Sequence, residues 1–262
     1  MKFKNLVIGI ALSASIPIVA KDVTEQTTCA NEAKITNFLV TKHVRGCKNT
    51  CSKTYRDLDA FSRIYLEMNS ADVEYRQNLK GETIVKVEVP ENLSDLVEIT
   101  SRKGQLVVCY KDKYEDVQVH NSHMKVVVCS PSLSSVTIYG RANVTLRGTV
   151  CCDSLCLSIN GLVDVDAHSL ICEYISVNSS GIGDIELAGT AKHAHLSLDG
   201  CGGINTERLM CQYVNASING VGNIDCYATD SLAISVDGIG WVSYSGTPRV
   251  SKEGCIKRVK RK

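Results

Sequence analysis

The sequence predicts an all-β fold in which coils of about 20 residues stack into a solenoid. The first observation is a repeat whose glycines recur at nearly constant spacing: Gly140, Gly161, Gly181, Gly200, Gly220 and Gly238. The second is the pattern around the glycines, where apolar residues stand four and two positions before each glycine and four positions after it, with Ser179 as the one exception. Polar residues separate the apolar ones, as in a strand with one buried face.

Each repeat is predicted to be a strand, a turn and a second strand. Leu157-Ser-Ile-Asn-Gly161 and Ile234-Ser-Val-Asp-Gly238 show the first strand, and Val165 and Val242 mark the second. One such unit cannot bury its own apolar edge. Stacked copies can, because like residues form continuous interior ladders and neighbouring backbones pair.

The glycines are predicted to close the turns, because glycine, Asn and Asp tolerate positive φ. Asp164 and Asp184 share a column in which the other copies carry Asn, Gly or Trp, so a turn role is favoured over a pair of catalytic acids. The predicted structural turn residues are Gly140, Gly161, Gly181, Gly183, Gly200, Gly220, Gly222, Gly238 and Gly240.

Residues 1–20 have the pattern of a secretory signal peptide. Lys2 and Lys4 precede an apolar centre, and Ile18-Val19-Ala20 forms a small-residue cleavage site. A membrane anchor is disfavoured because the apolar run is shorter than the roughly 20 residues that a spanning helix needs. Lipid attachment is also disfavoured, since the first cysteine is Cys29. We expect export, with no transmembrane segment once the signal is removed.

Residues 21–56 are predicted to form a polar, cysteine-containing linker or arm. His43, Cys47 and Cys51 are spaced by fours, which on a helix would align three metal ligands. The intervening residues favour a helix poorly, and neighbouring cysteines in an exported chain more often oxidise. A local disulfide between Cys47 and Cys51 is therefore the preferred interpretation.

Residues 57–135 are predicted to be β structure of an irregular kind. Ile64–Tyr75 resembles a degenerate copy of the later repeat, and Pro90 ends a strand that begins at Thr83. We expect a short helical turn over 91–96 and further strands over 105–110 and 124–129. This half caps the regular coils of residues 136–256 or forms a small sheet beside them. The basic tail, 257–262, is predicted to be a frayed terminus, with an electrostatic tether as the alternative.

Several motifs together give the chain a family resemblance. They are Phe61-Ser-Arg-Ile64, Ala71-Asp72-Val73, Ser130-Pro131-Ser-Leu133, Ser180-Gly-Ile-Gly-Asp-Ile185 and the ending from Gly238 to Pro248. With these, the chain resembles the family called putative auto-transporter adhesin, head GIN domain, from about Leu58 to Ile256. The resemblance implies a right-handed β-helix-like fold in an exported protein of Gram-negative bacteria. It supplies no catalytic or ligand-binding residues to carry over.

The chain departs from the family pattern in its 13 cysteines. Cys152, Cys172 and Cys211 stand at the same distance before a motif glycine, with Ala191 in the intervening copy. A buried column of small residues explains them, because a buried cysteine behaves as a small hydrophobe. A disulfide between adjacent coils, such as Cys152 to Cys172, is the alternative.

Composition limits the classes of function. The net charge of +1 gives no support for a nucleic-acid partner. No nucleotide fingerprint or nucleophile motif occurs in a suitable context, and no cofactor is predicted. His193 and His195 alternate on one strand, and we interpret them as exposed residues because no third metal ligand is evident.

We therefore expect an exported, non-enzymatic β-solenoid that presents a repetitive, adhesin-like surface to a glycan or to an envelope or surface protein. The expected location is the periplasm or the cell surface of a Gram-negative bacterium. One alternative is a carbohydrate-active enzyme that uses acids of the first half, such as Asp112, Glu115 and Asp116. Another is a structural envelope component that self-associates through an open end of the solenoid.

Overall fold

The computed structural model describes residues 42–111, 117–120, 122–254 and 258–262. The predicted signal peptide, Cys29 and the rest of the arm up to residue 41 lie outside the described residues. So do Asp112, Glu115 and Asp116. The described chain is almost entirely β structure, interrupted by one short 3₁₀ turn at Glu91–Leu93.

Sixteen strands follow one another along the described chain. Those of the first half are β1 (Lys42–Arg45), β2 (Thr50–Tyr55), β3 (Arg63–Gln77), β4 (Ile84–Pro90), β5 (Val97–Arg102), β6 (Gln105–Tyr110), β7 (Val117–His120) and β8 (Met124–Ser130). Those of the second half are β9 (Ser135–Arg147), β10 (Val150–Ser179), β11 (Ile182–Leu198), β12 (Cys201–Ile218), β13 (Val221–Val236), β14 (Ile239–Gly246), β15 (Arg249–Gly254) and β16 (Val259–Arg261).

The second half is a β-solenoid of about six turns over residues 135–261. Strands β9 to β13 pair in parallel with the strand one coil later, and the motif glycines mark the register, since Gly161 pairs with Gly140. In the next coils Ile182 pairs with Cys201, which in turn pairs with Val221. The predicted repeat is therefore confirmed as a stack of coils.

The core consists of ladders of like residues, one per coil. Leu157, Val177, Leu196, Ala216 and Ile234 lie four positions before the glycines and are all buried. Four positions after the glycines, the apolar residues are also buried: Val144, Val165, Ile185, Ile204, Ile224 and Val242. Burial of one Leu or Ile side chain stabilises the fold by about 1.5–3 kcal/mol, so each ladder adds favourable free energy coil by coil.

Strand β3 is an additional coil that belongs to the solenoid, as its degenerate motif predicts. It pairs with β9 from Arg63↔Ser135 to Arg76↔Arg147. Its first part pairs onward with β6 and its second part with β8, which is followed by the antiparallel strands β4 and β2. The irregular first half therefore caps one end of the stack and protects the edges of the first coil.

The structure differs from the sequence expectations at several short strands, two of which, β1 and β2, lie in the segment predicted to be a linker or arm. β1 pairs with β7, and β2 pairs with β4, so His43 and Cys51 lie on strands. The alternative that aligned His43, Cys47 and Cys51 on a helix is therefore wrong. At the other end β16 pairs with β14, and Lys262 forms ion pairs with Glu207 and Asp225, so residues 258–262 are not frayed.

The glycines fall into two classes with different physical reasons. A Cβ on Gly220 would stand 2.0 Å from the carbonyl oxygen of Gly200 in the preceding coil, and the φ of Gly220 is not positive. Gly222 combines such a close approach with a φ of +153°. The first glycine of each motif thus permits close coil-to-coil contact, and among these glycines only Gly140 also has a positive φ, of +106°. The second glycine combines the close contact with a backbone conformation that side chains disfavour.

Candidate functional site

A regular surface lies on the outer side of the strand segments that precede the motif glycines. We call it the display face and define it by three columns of outward residues, seven, five and three positions before the glycines. They are Ser154, Tyr174, His193, Tyr213 and Ser231; Cys156, Ser176, His195, Asn215 and Ala233; and Ser158, Asn178, Ser197, Ser217 and Ser235. Because the strands pair in register, each column runs straight along the solenoid, with about 4.8 Å between residues.

The first of these columns, which we call the ring column, carries three stacked aromatic rings. Tyr174 pairs with His193, and His193 pairs with Tyr213. The ring centroids are 4.6 Å apart in the first pair and 4.9 Å apart in the second, with interplanar angles of 5° and 17°. These distances match the spacing of paired strands, so backbone register holds the rings in a stack.

A shallow groove of about 440 Å³ follows the ring column. It extends from Ser154 at one end to Ser231 and Ala233 at the other. Ser176, His195 and Asn215 line it beside the rings, and its lining includes no Asp, Glu, Lys or Arg. The groove therefore combines aromatic surface with uncharged hydrogen-bonding groups.

Next to the groove, hydroxyl and amide groups bond to one another from coil to coil. The hydroxyl of Ser217 donates to Ser197 Oγ at 3.2 Å, and the amide of Asn219 donates to Asp199 Oδ1 at 2.7 Å. Ser197 also donates to Asp199 Oδ2 at 3.0 Å. These bonds hold Ser197 and Ser217 of the display face in fixed orientations, which lowers the entropy lost when a partner binds there.

Of the two acids predicted to share a column, Asp164 makes a structural contact through its carboxylate. Asp164 Oδ1 accepts a hydrogen bond of 2.9 Å from the backbone N–H of Asp184. In a later coil Asn223 accepts the equivalent bond from the backbone N–H of Trp241. Since Asn serves in the same place, the contact needs an acceptor oxygen and does not need an ionisable acid.

His193 and His195 lie where the sequence places them, on one exposed strand. His193 is held between two tyrosines, and His195 lines the groove. Among the described residues, no group of three or more His, Cys, Asp and Glu side chains is placed to hold a metal ion. In the same ranges, no helix is long and apolar enough to cross a membrane.

The cysteine column lies at the corner next to the groove. Cys152 Sγ and Cys172 Sγ are 3.2 Å apart on successive coils, and Ala191 separates Cys172 from Cys211. The thiol hydrogen bond between Cys152 and Cys172 lowers the pKa of Cys152 and raises that of Cys172. Burial raises the pKa of Cys211 and of Cys226 to about 12. Cys211 is therefore buried as a small apolar residue. Cys152 and Cys172 are free cysteines that lie side by side, and a disulfide between them stays a prediction.

The other cysteine prediction, a disulfide between Cys47 and Cys51, stays a prediction. Both residues are partly buried. The Cys47 thiol lies 3.2 Å from the carbonyl oxygen of Asn49, and the backbone N–H of Cys47 donates to Asn92 Oδ1 at 2.9 Å.

Sequence reasoning missed two outward features of the coils. One is the ring column, whose residues Tyr174, His193 and Tyr213 each stand seven positions before a glycine. The coils were predicted from the columns closest to the glycine, which do not include it. The second feature, which we call the corner stripe, is a row of exposed residues directly after the first glycine: Leu162, Ile182, Cys201, Val221 and Ile239. Their in-register pairing gives one continuous, largely apolar row.

Comparison with known proteins agrees with this architecture. Residues 60–248 match the sequence model of the family described as putative auto-transporter adhesin, head GIN domain. The chain is similar to the crystal structure of a putative adhesin from Bacteroides fragilis, with 28% identity, a TM-score of 0.73, and coverage of 84% of this chain and 96% of that one. No curated protein matches the chain.

Two structures from Parabacteroides distasonis share the fold at lower identity. One is described as a putative adhesin, with 23% identity and a TM-score of 0.63, and the other as a putative lipid binding protein, with 20% identity and a TM-score of 0.66. Each covers 84% of this chain and 99% of its own.

Proposed function

Because this chain belongs to the putative auto-transporter adhesin, head GIN domain family, we propose that it is an exported, adhesin-like surface protein without enzymatic activity. Its predicted signal peptide directs it out of the cytoplasm, to the periplasm or the cell surface of a Gram-negative bacterium. There the display face binds a glycan or an envelope or surface protein.

The observation that carries this proposal is the display face itself. It is a flat array of hydroxyl, amide and aromatic side chains whose positions repeat from coil to coil. Such a surface suits many weak contacts made together, which give useful avidity without a deep pocket. The protein from Bacteroides fragilis described as a putative adhesin has the same fold at 28% identity, which supports the assignment.

An array of glycans and of bacterial and host surface proteins, probed with the exported chain, tests the proposal. We expect binding to at least one class of probe. We also expect the double substitution Ser158→Arg with Ser235→Arg to abolish it, because two bulky charged side chains would stand on the display face. Absence of binding to every probe would contradict the adhesin-like function.

A matched variant separates the display face from the rest of the surface. Thr145→Arg with Thr190→Arg adds the same charge to outward positions of the coils that lie outside the display face. We expect this variant to bind as the unmodified chain does. Equal loss of binding in both variants would mean that added charge, and not the face, controls the interaction.

A further inference from the structure

The three rings of the ring column form a continuous aromatic stack. Both ends of the stack lie within the display face, next to Ser154 and Ser231. His193 has a tyrosine on each of its two sides, so both of its ring faces are occupied. Tyr174 and Tyr213 each have only one ring neighbour among the described residues, which is His193. The outer ring faces of the two tyrosines are therefore free of aromatic contacts.

Serine stands next to each of these outer ring faces. Ser231 pairs with Tyr213 in the following coil. Ser154 lies one coil before Tyr174, because Cys152 and Cys172, two positions earlier in the same strand segments, lie side by side. A serine side chain is too short to cover a tyrosine ring, and Tyr174 remains 53% exposed and Tyr213 39% exposed.

The chemistry of the groove identifies the kind of ligand that fits these ring faces. The face of an aromatic ring carries partial negative charge and attracts the weakly positive C–H groups of an apolar ring face. A pyranose offers such a C–H face together with hydroxyl groups around its rim. Ser176, His195 and Asn215 beside the rings supply donors and acceptors for those hydroxyls. A lining without Asp, Glu, Lys or Arg favours a ligand without charge.

The distance between the two outer ring faces should make the groove select ligands by their length. The levels of Ser154 and Ser231 are four coil steps apart, or about 19 Å at the usual strand spacing. A monosaccharide would occupy one face only. An oligosaccharide that runs along the groove would reach both, and the second contact would then form at high effective concentration.

We propose that the groove from Ser154 to Ser231 binds a neutral oligosaccharide, with one pyranose stacked on the outer face of Tyr174 and another on that of Tyr213. This inference rests on the proposed function and makes its ligand specific. Tyr174 and Tyr213 are the anchors, His193 keeps them at a fixed separation, and the neighbouring polar side chains orient the sugar hydroxyls.

The test is titration of the exported chain with neutral oligosaccharides of one to six residues in three series: β-1,4-linked glucose, β-1,4-linked N-acetylglucosamine and α-linked mannose. Saturation-transfer NMR and calorimetry detect the binding. In at least one series we expect the hexamer to bind at least about 10-fold more tightly than the monomer. We also expect the strongest saturation at the ring C–H protons. Absence of binding in all three series overturns the inference.

Two kinds of substitution locate the site. Tyr174→Ala and Tyr213→Ala each remove one stacking face and should weaken hexamer binding by about 10-fold or more, the usual effect of losing an aromatic anchor. Ser231→Leu keeps all three rings and covers the outer face of Tyr213 with a branched aliphatic side chain that offers no ring face, so it should weaken binding equally. Circular dichroism and thermal unfolding confirm that each variant is folded. Unchanged binding in Tyr174→Ala and Ser231→Leu overturns the inference.

Matched controls accompany each variant. Ser231→Ala leaves the outer face of Tyr213 open and should retain binding. Tyr139→Ala removes an exposed tyrosine that lies outside the groove and contacts Tyr65, and it should also retain binding. Loss of binding in Ser231→Ala or Tyr139→Ala would overturn the assignment of the site to the ring faces.

The protein array separates failure of this inference from failure of the proposed function. A chain that binds a surface protein on the array and none of the three sugar series remains adhesin-like, but the sugar groove is then rejected. A chain that binds nothing in either experiment contradicts both. Competition of hexamer binding by free phenol at equal concentration would show that a planar aromatic ligand occupies the ring faces as readily, and it would overturn the assignment to sugars.

Discussion

At the scale of single residues, the first motif glycine is fixed by the space between coils. The carbonyl oxygen of the motif glycine in one coil occupies the volume that a Cβ at the motif glycine of the next coil would need. Gly200 and Gly220 are an example. This contact repeats at Gly161, Gly181 and Gly238. Even alanine is therefore excluded at these positions, for reasons of packing and not of turn conformation.

The substitution Gly220→Ala tests this explanation. A Cβ placed 2.0 Å from the Gly200 oxygen forces two coils apart, and we expect the free energy of unfolding to fall by about 3 kcal/mol. Chemical denaturation under reducing conditions measures the change. Gly203→Ala is the control and should cost much less, because its Cβ would come closest to the Asp184 side chain, at 3.1 Å, and would reach the carbonyl oxygen of Asn223 only at 3.9 Å. Equal effects of the two substitutions would reject the packing explanation.

Buried and exposed cysteines should differ in reactivity. Cys211 and Cys226 are buried and have a pKa raised to about 12, whereas Cys151 and Cys201 are exposed. Iodoacetamide at about pH 8 should label the exposed pair and spare the buried pair until the chain unfolds, as peptide mass spectrometry would show. Labelling of Cys211 in the folded protein would contradict its place in the core.

The raised pKa values of Cys211 and Cys226 also determine how the stability of the fold changes with pH. Between the ordinary thiol pKa of 9.0 and about 12, the unfolded chain loses thiol protons that the folded chain keeps at Cys211 and Cys226. Their contribution to stability is complete below pH 9.0 and is lost as the pH rises towards about 12.

At the scale of elements, successive coils are joined by side chains as well as by backbone pairing. Cys152 and Cys172 form one such contact, with 3.2 Å between their sulfurs. Oxidised glutathione should convert this pair to a disulfide: both thiols lose their protons, one S–S bond forms, and the two electrons reduce glutathione disulfide to two thiols. Mass spectrometry of peptides prepared without reduction should recover the Cys152–Cys172 link.

The crosslink should stabilise the fold. It closes a loop of about 20 residues, and loops of this size gain about 3 kcal/mol in the chain-entropy description of disulfides. Cys172→Ser should abolish both the link and the gain. If oxidation instead joins Cys211 to another cysteine of the column, the register described here is contradicted, because Ala191 separates Cys211 from Cys172.

The turn contact of Asp164 provides a second test at this scale. Its carboxylate accepts a bond from the backbone N–H of Asp184, so Asp164→Asn should preserve stability and Asp164→Ala should lower it by about 0.5–1 kcal/mol. Thermal unfolding of the three proteins compares them. A loss of ligand binding or of any hydrolytic activity in Asp164→Asn, with the fold intact, would show that the acid itself has a function.

Much of the fold could be predicted because residues that stack in neighbouring coils recur about every 20 positions in the sequence. The glycine and apolar columns predicted the coils, and the degenerate motif at Ile64–Tyr75 predicted the first one. Several strands escaped prediction, among them β1, β2 and β7, because they are short and distant partners decide their pairing. β2, for example, is mostly exposed and shows no apolar alternation.

The candidate site was harder to predict, since it depends on register between coils. Tyr174 and Tyr213 are nearly 40 positions apart and become neighbours of His193 only when the strands align. The sequence showed the polar character of the face through its serine column. It did not show that three rings meet in one stack, because the alternation of strand residues fixes the side of the sheet and not the contacts along it.

At the scale of the whole molecule, the caps and the faces have separate roles. The irregular first half covers one end of the stack, and β16 with Lys262 covers part of the other, so the solenoid is stabilised at both ends. The display face is then left for a partner. This arrangement has a use in adhesion only if the face is accessible from outside the cell.

The most direct test of the account is therefore protease accessibility of the protein on intact cells, with lysed cells as the control. We predict digestion on intact cells at a rate close to that in the lysate, while a periplasmic marker protein stays protected. Protection of the chain until the cells are lysed would contradict the adhesin-like function and would place the display face inside the envelope, where a structural role would replace it.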